Sequence, residues 1–255
     1  MSTNNTNFDA GDGIFWGQQG GNWFVGRCAI TNYQFEGIQF GAGPAAVVAN
    51  DYHTVVSYYA TTAILAIGFY DTVTSTTNDY TFYVVGNRIV GGRFGYWERK
   101  EGSAAGAHSR PQFSGNYVEL SPAHDLQLPT YDNAGAAFEG GRIEHANIAG
   151  NKLVAGAHGA RWQTDAISGL VLKNDFAAAS YRALAYTGTN ATTGPAFRFT
   201  ILRNTLNQGS QFHLKGPVAD PGIFFSSENT FKAGAATVNP FIDPASAPVH
   251  TRYKP

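Results

Sequence analysis

The sequence predicts an all-β solenoid, specifically a right-handed parallel β-helix of about eight rungs with an asparagine ladder at one turn. A repeat keyed on one polar residue type carries this expectation, and the composition supports it. The repeat places an apolar residue before an Asn and another two or three residues after it. It reads Ile30-Thr31-Asn32-Tyr33-Gln34-Phe35, Val85-Gly86-Asn87-Arg88-Ile89 and Phe113-Ser114-Gly115-Asn116-Tyr117-Val118. It continues as Ile148-Ala149-Gly150-Asn151-Lys152-Leu153, Leu172-Lys173-Asn174-Asp175-Phe176, Leu202-Arg203-Asn204-Thr205-Leu206 and Ser227-Glu228-Asn229-Thr230-Phe231. The spacings are 55, 29, 35, 23, 30 and 25 residues, a period typical of stacked-repeat architectures. The first gap spans about two repeats, so Thr62 fills the vacant place and the ladder runs Asn32, Thr62, Asn87, Asn116, Asn151, Asn174, Asn204, Asn229.

Each element of the repeat has a physical reason. Asn tolerates the left-handed backbone of a tight corner, and its amide can bond the equivalent amide one rung above and below. Gly precedes Asn at Gly86, Gly115 and Gly150, consistent with a sharp bend. The apolar residue after Asn then turns into a core shared between rungs. Segments such as 80–89 and 197–206 are rich in β-branched and aromatic residues in near-alternation, which argues against helix. The stretch 175–185 is moderately helical by propensity, but the repeat assigns it to strand and turn.

Composition narrows the function classes. Charged residues make up 14% of the 255-residue chain against 43% hydrophobic, with 30 Gly and 14% aromatic, which suits short strands and tight turns better than amphipathic helices. Net charge is −1 and the basic residues are dispersed, which argues against nucleic acid as partner. No apolar run reaches the ~18 residues of a membrane span. The first twenty residues lack a basic-then-apolar secretory pattern. Cys28, the single cysteine, reads as a small buried apolar residue. The seven histidines show no metal-ligand spacing, so no metal or other cofactor is expected. Organisation follows as a polar N-terminal segment (1–21), the β-helix (22–239) and a proline-rich C-terminal cap (240–255). Insertions fall at 99–111, 121–137 and 186–196.

The phrases Cys28-Ala-Ile-Thr-Asn-Tyr-Gln-Phe-Glu-Gly-Ile-Gln-Phe40, Val84-Val-Gly-Asn-Arg-Ile-Val-Gly-Gly-Arg-Phe94 and Ile148-Ala-Gly-Asn-Lys-Leu-Val-Ala-Gly-Ala-His158 resemble rungs of the pectin-lyase-like β-helix superfamily. The similarity covers about four-fifths of the chain and is one of rung style. The polygalacturonase, pectate lyase and alginate epimerase signatures are missing, which leaves the bacteriophage tailspike branch. That resemblance implies a virion-borne tail or surface spike, homotrimeric, that binds and can depolymerise a cell-surface polysaccharide. The alternatives are an extracellular bacterial lyase, hydrolase or fructotransferase, and a structural spike without glycan ligand.

Similar offsets from the ladder Asn place Trp97, Trp162 and Tyr186 in one aromatic column, with Arg99 and Arg161 beside them. Sugars stack their C–H faces on such rings, and polar neighbours fix orientation. Glycosidases need two carboxylates about 5 to 10 Å apart, and stacked rungs bring matching positions to about 4.8 Å. Glu98, Glu101 and Asp165 are therefore the catalytic candidates, with Glu139 and Glu144 a second choice.

Overall fold

A computed structural model of the chain describes residues 13–16, 23–40, 45–54, 62–68, 79–100, 108–121, 133–143, 145–166, 168–186, 198–206, 222–226, 228–231 and 251–254. These residues contain no helix; their strands repeat in threes. The first level is β1 (Ile14–Trp16), β2 (Trp23–Gly26) and β3 (Ala29–Thr31). The second is β4 (Glu36–Phe40), β5 (Ala45–Val48) and β6 (Asp51–His53). Next come β7 (Thr62–Gly68), β8 (Asp79–Val85) and β9 (Arg88–Val90), then β10 (Phe94–Lys100), β11 (His108–Ser114) and β12 (Tyr117–Glu119). They are followed by β13 (Ala134–Ile143), β14 (Ala146–Ala149) and β15 (Lys152–Ala155), and by β16 (His158–Ala166), β17 (Ser168–Leu172) and β18 (Asp175–Phe176). The chain continues through β19 (Arg182–Tyr186), β20 (Arg198–Leu202), β21 (Thr205–Leu206), β22 (Gly222–Ser226), β23 (Thr230–Phe231) and β24 (Thr251–Lys254).

Every strand pair is parallel, and all but one join equivalent strands of successive levels. The first face is β1-β4-β7-β10-β13-β16-β19. The second is β2-β5-β8-β11-β14-β17-β20-β22-β24. The third is β3-β6-β9-β12-β15-β18-β21-β23. Three faces winding through about eight levels make a parallel β-helix, as the repeat predicts. The far end of β13 also pairs with β11, so that strand carries the first face round the corner into the second. β1 lies inside the expected N-terminal segment, and β24 inside the expected cap, where it extends the second face by one strand.

The corner between the second and third faces is two residues long from Arg27-Cys28 to Arg203-Asn204. Its first residue is left-handed: φ is +58° at Arg27, +55° at Ala49, +66° at Gly86, +64° at Gly115, +65° at Gly150, +54° at Lys173 and +59° at Arg203. The ladder residue follows it, so Asn itself does not supply the left-handed conformation. Its side chain instead satisfies the backbone that the bend uncovers. Asn50, Asn87, Asn116, Asn151, Asn174 and Asn204 each donate Nδ2 to the Oδ1 of the next ladder Asn, at 2.9–3.1 Å. The same Oδ1 accepts the backbone N–H of the previous ladder residue, and Nδ2 also donates to a carbonyl of the previous level.

Two expected rungs of the ladder are therefore corrected. Asn50, not Thr62, is its second member, and Cys28 stands in the first place, donating its backbone N–H to Asn50 Oδ1 at 2.9 Å. Asn32 sits four residues later at the corner into the first face, left-handed at φ +56° and donating its N–H to His53 O. Thr62 opens β7, paired with Glu36 and Phe94. Cys28 is exposed rather than buried.

Inside the coil, side chains stack in columns. Ile30, Tyr52, Ile89, Val118, Leu153, Phe176 and Leu206 form one on the third face. Val47, Val84, Phe113, Ile148, Val171 and Ile201 form another on the second. On the first face, small residues (Gly37, Ala63, Gly95, Gly135, Gly159, Ala183) occupy the positions that approach the third-face column. A Cβ on Gly37 would lie 2.9 Å from the Tyr52 ring, and one on Gly159 would strike the Phe176 ring.

Candidate functional site

Strands β10, β13 and β16 carry most of the expected site residues, and register decides which way they point. Glu98, Phe138, Trp162 and Tyr186 align across four levels, and so do Trp97, Ala137, Arg161 and Ala185. Adjacent residues of a strand face opposite sides, so Trp97 and Trp162 cannot share one column. Trp162 lies in the core, fully buried, stacked on Phe138 with centroids 5.6 Å apart and edge-on to Phe199. It holds the coil together and offers no surface to a sugar. The offsets from Asn concealed this because Trp97 follows its ladder residue by ten positions and Trp162 by eleven, and one residue reverses the face.

Glu98 shares the inward side. It is 6% exposed and accepts a hydrogen bond from the Tyr96 hydroxyl at 2.9 Å. Burial, and then the Glu98 carboxylate beside it, raises the Tyr96 phenol well above its ordinary range, so the phenol remains a donor. A buried carboxylate with a dedicated donor is a structural polar group of the core, which argues against the catalytic role expected for it. Glu101 and Glu144 lie outside the described residues. Asp165 is in β16 opposite Arg142, Arg99 is in β10 opposite Glu139, and Tyr186 is in β19 opposite Trp162; of these only the backbone positions are described.

The outward side forms a different cluster. Trp97, half-buried, packs on Phe94 at 5.2 Å between centroids, beside Ala134 and Ala137. Arg93 and Arg161 both place their guanidinium groups on the Phe94 ring, at 4.5 and 5.3 Å from its centroid. Arg161 is 5% exposed and donates Nη2 to Glu139 Oε1 at 2.6 Å. It is thus a positioning residue, fixing a half-buried carboxylate, rather than a group that reaches into solvent. One level on, His158 is buried beneath the exposed ring of Tyr181, edge-to-face at 5.5 Å. Among the described residues, the groups that meet solvent here include Arg93, Trp97, Glu139 and Tyr181.

Sequence reasoning found Trp97 and Arg161 but missed Phe94 and Tyr181. Phe94 was hidden because the small-residue column interrupts strand alternation. Phe94 and Trp97, three apart, lie on one side, with Tyr96 on the other. The connections 69–78, 101–107, 122–132 and 187–197 all join the first face to its neighbours, whereas the opposite corner stays at two residues over seven levels. Chain length is thus added on both flanks of the face that carries this cluster.

The fold and its ladder define the class of this protein as an asparagine-ladder parallel β-helix. Compared with protein families, curated proteins and solved structures, the chain matches none.

Proposed function

We propose that this chain is a virus-borne, tailspike-like or fibre-like β-helix that holds a cell-surface polysaccharide on its first face and assembles as a homotrimer. The supporting observation is the outward cluster itself. A partly exposed indole, Trp97, is held by Phe94, and Arg161, whose guanidinium lies on the same Phe94 ring, fixes Glu139, on the face flanked by inserted connections. A fixed ring with an oriented carboxylate is the pairing that carbohydrates use, with the ring for C–H stacking and the oxygen for sugar hydroxyls. Among the candidate carboxylates whose side chains are described, Glu98 is turned into the core and Glu139 is engaged by Arg161, and binding is the reading these two support. The location that follows is the virion, with the extracellular space as the alternative.

Titration with bacterial capsular and O-antigen polysaccharides, followed by tryptophan fluorescence, tests this. Trp97→Ala is expected to weaken binding at least tenfold, as is Glu139→Gln, while reducing ends and unsaturated-uronate absorbance stay flat. No retention of any such glycan would overturn the proposal. Release of reducing ends or uronate absorbance would move the assignment to a depolymerase.

A further inference from the structure

The outer side of the second face differs in chemistry from the other two. Its two outward columns are Phe24, Ala46, Tyr83, Gln112, Asn147, Leu170 and Thr200, and Gly26, Val48, Val85, Ser114, Ala149, Leu172 and Leu202. Over these seven levels no member is charged; the same columns run on through Phe224 to Arg252 and through Ser226 to Lys254 at the β24 end. The outward columns of the third face, by contrast, hold Asp51, Arg88, Lys152 and Asp175, and His53 and Glu119, including an Arg88–Asp51 ion pair. Phe24 is 72% exposed and Tyr83 49%, so the chain itself leaves this surface open. Charge returns at the edges, with Asp79, Arg110, His145 and Arg198 along one side, Arg27, Lys173 and Arg203 along the corner, and Arg252 and Lys254 at one end. An uncharged centre with aromatic members and a charged rim is the composition of a protein interface.

We infer that the second face is where copies of this chain pack on one another. The inference rests on the assembly half of the proposed function and is independent of its glycan half. Three properties select a second copy as occupant. A neutral surface gives no field to steer a partner of opposite charge. The polar members Gln112, Ser114, Asn147 and Thr200 all both donate and accept, so the patch can pair with itself under symmetry. Its columns repeat at the ~4.8 Å rung pitch, which only another stack of strands matches along its whole length. Seven levels by about 15 Å outline on the order of 450 Å², within the ~300–600 Å² of a typical monomer's largest patch, which is often functional. The rim brings the contact towards the ~800 Å² that each partner gives a standard interface.

Sedimentation equilibrium of the full chain tests this. The wild-type protein is expected at an integral multiple of the single-chain mass at micromolar concentration. Tyr83→Glu and Leu172→Glu are expected to sediment as single chains with an unchanged circular dichroism spectrum, and Lys152→Glu on the third face to remain assembled. An oligomer that survives both second-face substitutions would overturn the inference while leaving self-association by another surface in place. A wild-type monomer would overturn it and the homotrimer together, and capture of that monomer by lipid vesicles would assign the patch to a membrane surface instead. Polysaccharide titration of the monomeric Tyr83→Glu protein keeps the glycan reading separately testable.

Discussion

Each interior ladder amide has two N–H donors and two acceptor lone pairs, and the stack uses all four. Asn116 donates to Asn151 Oδ1 and Val84 O while accepting from the Asn87 backbone and side chain. Asn116→Ala therefore removes one residue's bonds and also strands two buried donors of Asn87. At ~1–3 kcal/mol for each unsatisfied group, the expected loss is about 2–6 kcal/mol, measured as a shift in the urea midpoint. The first ladder place offers the opposite change. Cys28 already donates its backbone N–H to Asn50 Oδ1, and an Asn there can add the side-chain donor found at the other levels. Cys28→Asn is expected to stabilise by about 1 kcal/mol, and a destabilised variant would show that this end needs the smaller side chain. Six of the seven ladder asparagines were legible because each is followed by an apolar residue at +2. Asn50 has the same phrase, Val48-Ala49-Asn50-Asp51-Tyr52, but Thr62 stands nearer the middle of the 55-residue gap between Asn32 and Asn87, and taking Asn32 as a ladder member hid it.

At the level of strands, packing between faces depends on paired sizes. Tyr52 and Phe176, two aromatics of the third-face column, each lie against a glycine of their own level, Gly37 and Gly159. Ile89, in its own level, lies across from Ala63. Gly159→Ala is expected to cost about 1–3 kcal/mol, because a ring in a packed column has nowhere to move. Combining it with Phe176→Leu should recover part of that loss, since the smaller side chain vacates the space the methyl needs. The measurement is a thermodynamic cycle over the two single variants and the double; additive losses would show that the ring and the glycine do not constrain each other. This pairing was not legible in the sequence. It joins residues 15 to 17 apart through a level whose length varies, and the strand alternation that would place them is broken by the small-residue column itself. A different shift decided the site: Trp97 and Trp162 differ by one residue in their distance from the ladder and so lie on opposite sides of the sheet.

For the whole coil, three buried phenols tie stability to alkaline pH. Tyr33 and Tyr52 meet edge-to-face at 6.4 Å in the early levels, and Tyr96 lies midway, stacked on Phe113. An unfolded tyrosine ionises near 10. Burial is the first cause that lifts all three above this value; the Glu98 carboxylate adds to it for Tyr96. Below pH 10 both states hold these protons, so the three contribute no pH dependence. Above it the unfolded chain releases them and the folded chain keeps them, so the native state binds more protons and stability falls as pH rises. Each phenol can remove up to ~1.4 kcal/mol per pH unit, and three remove up to ~4, comparable within two or three units to a typical domain's total of ~5–15. The coil is therefore expected to unfold in one cooperative step above pH 10, with phenolate absorbance and loss of the β circular dichroism signal sharing a midpoint. Tyr96→Phe removes one of the three linked protons together with a donor to Glu98. Its alkaline limb should be shallower by about a third, while its stability at pH 7 falls because the Glu98 carboxylate loses that donor in a buried place. Complete ionisation of the tyrosines near pH 10 with the β signal intact would show that these phenols reach solvent without unfolding, and the stacked core would then be more open than its packing implies.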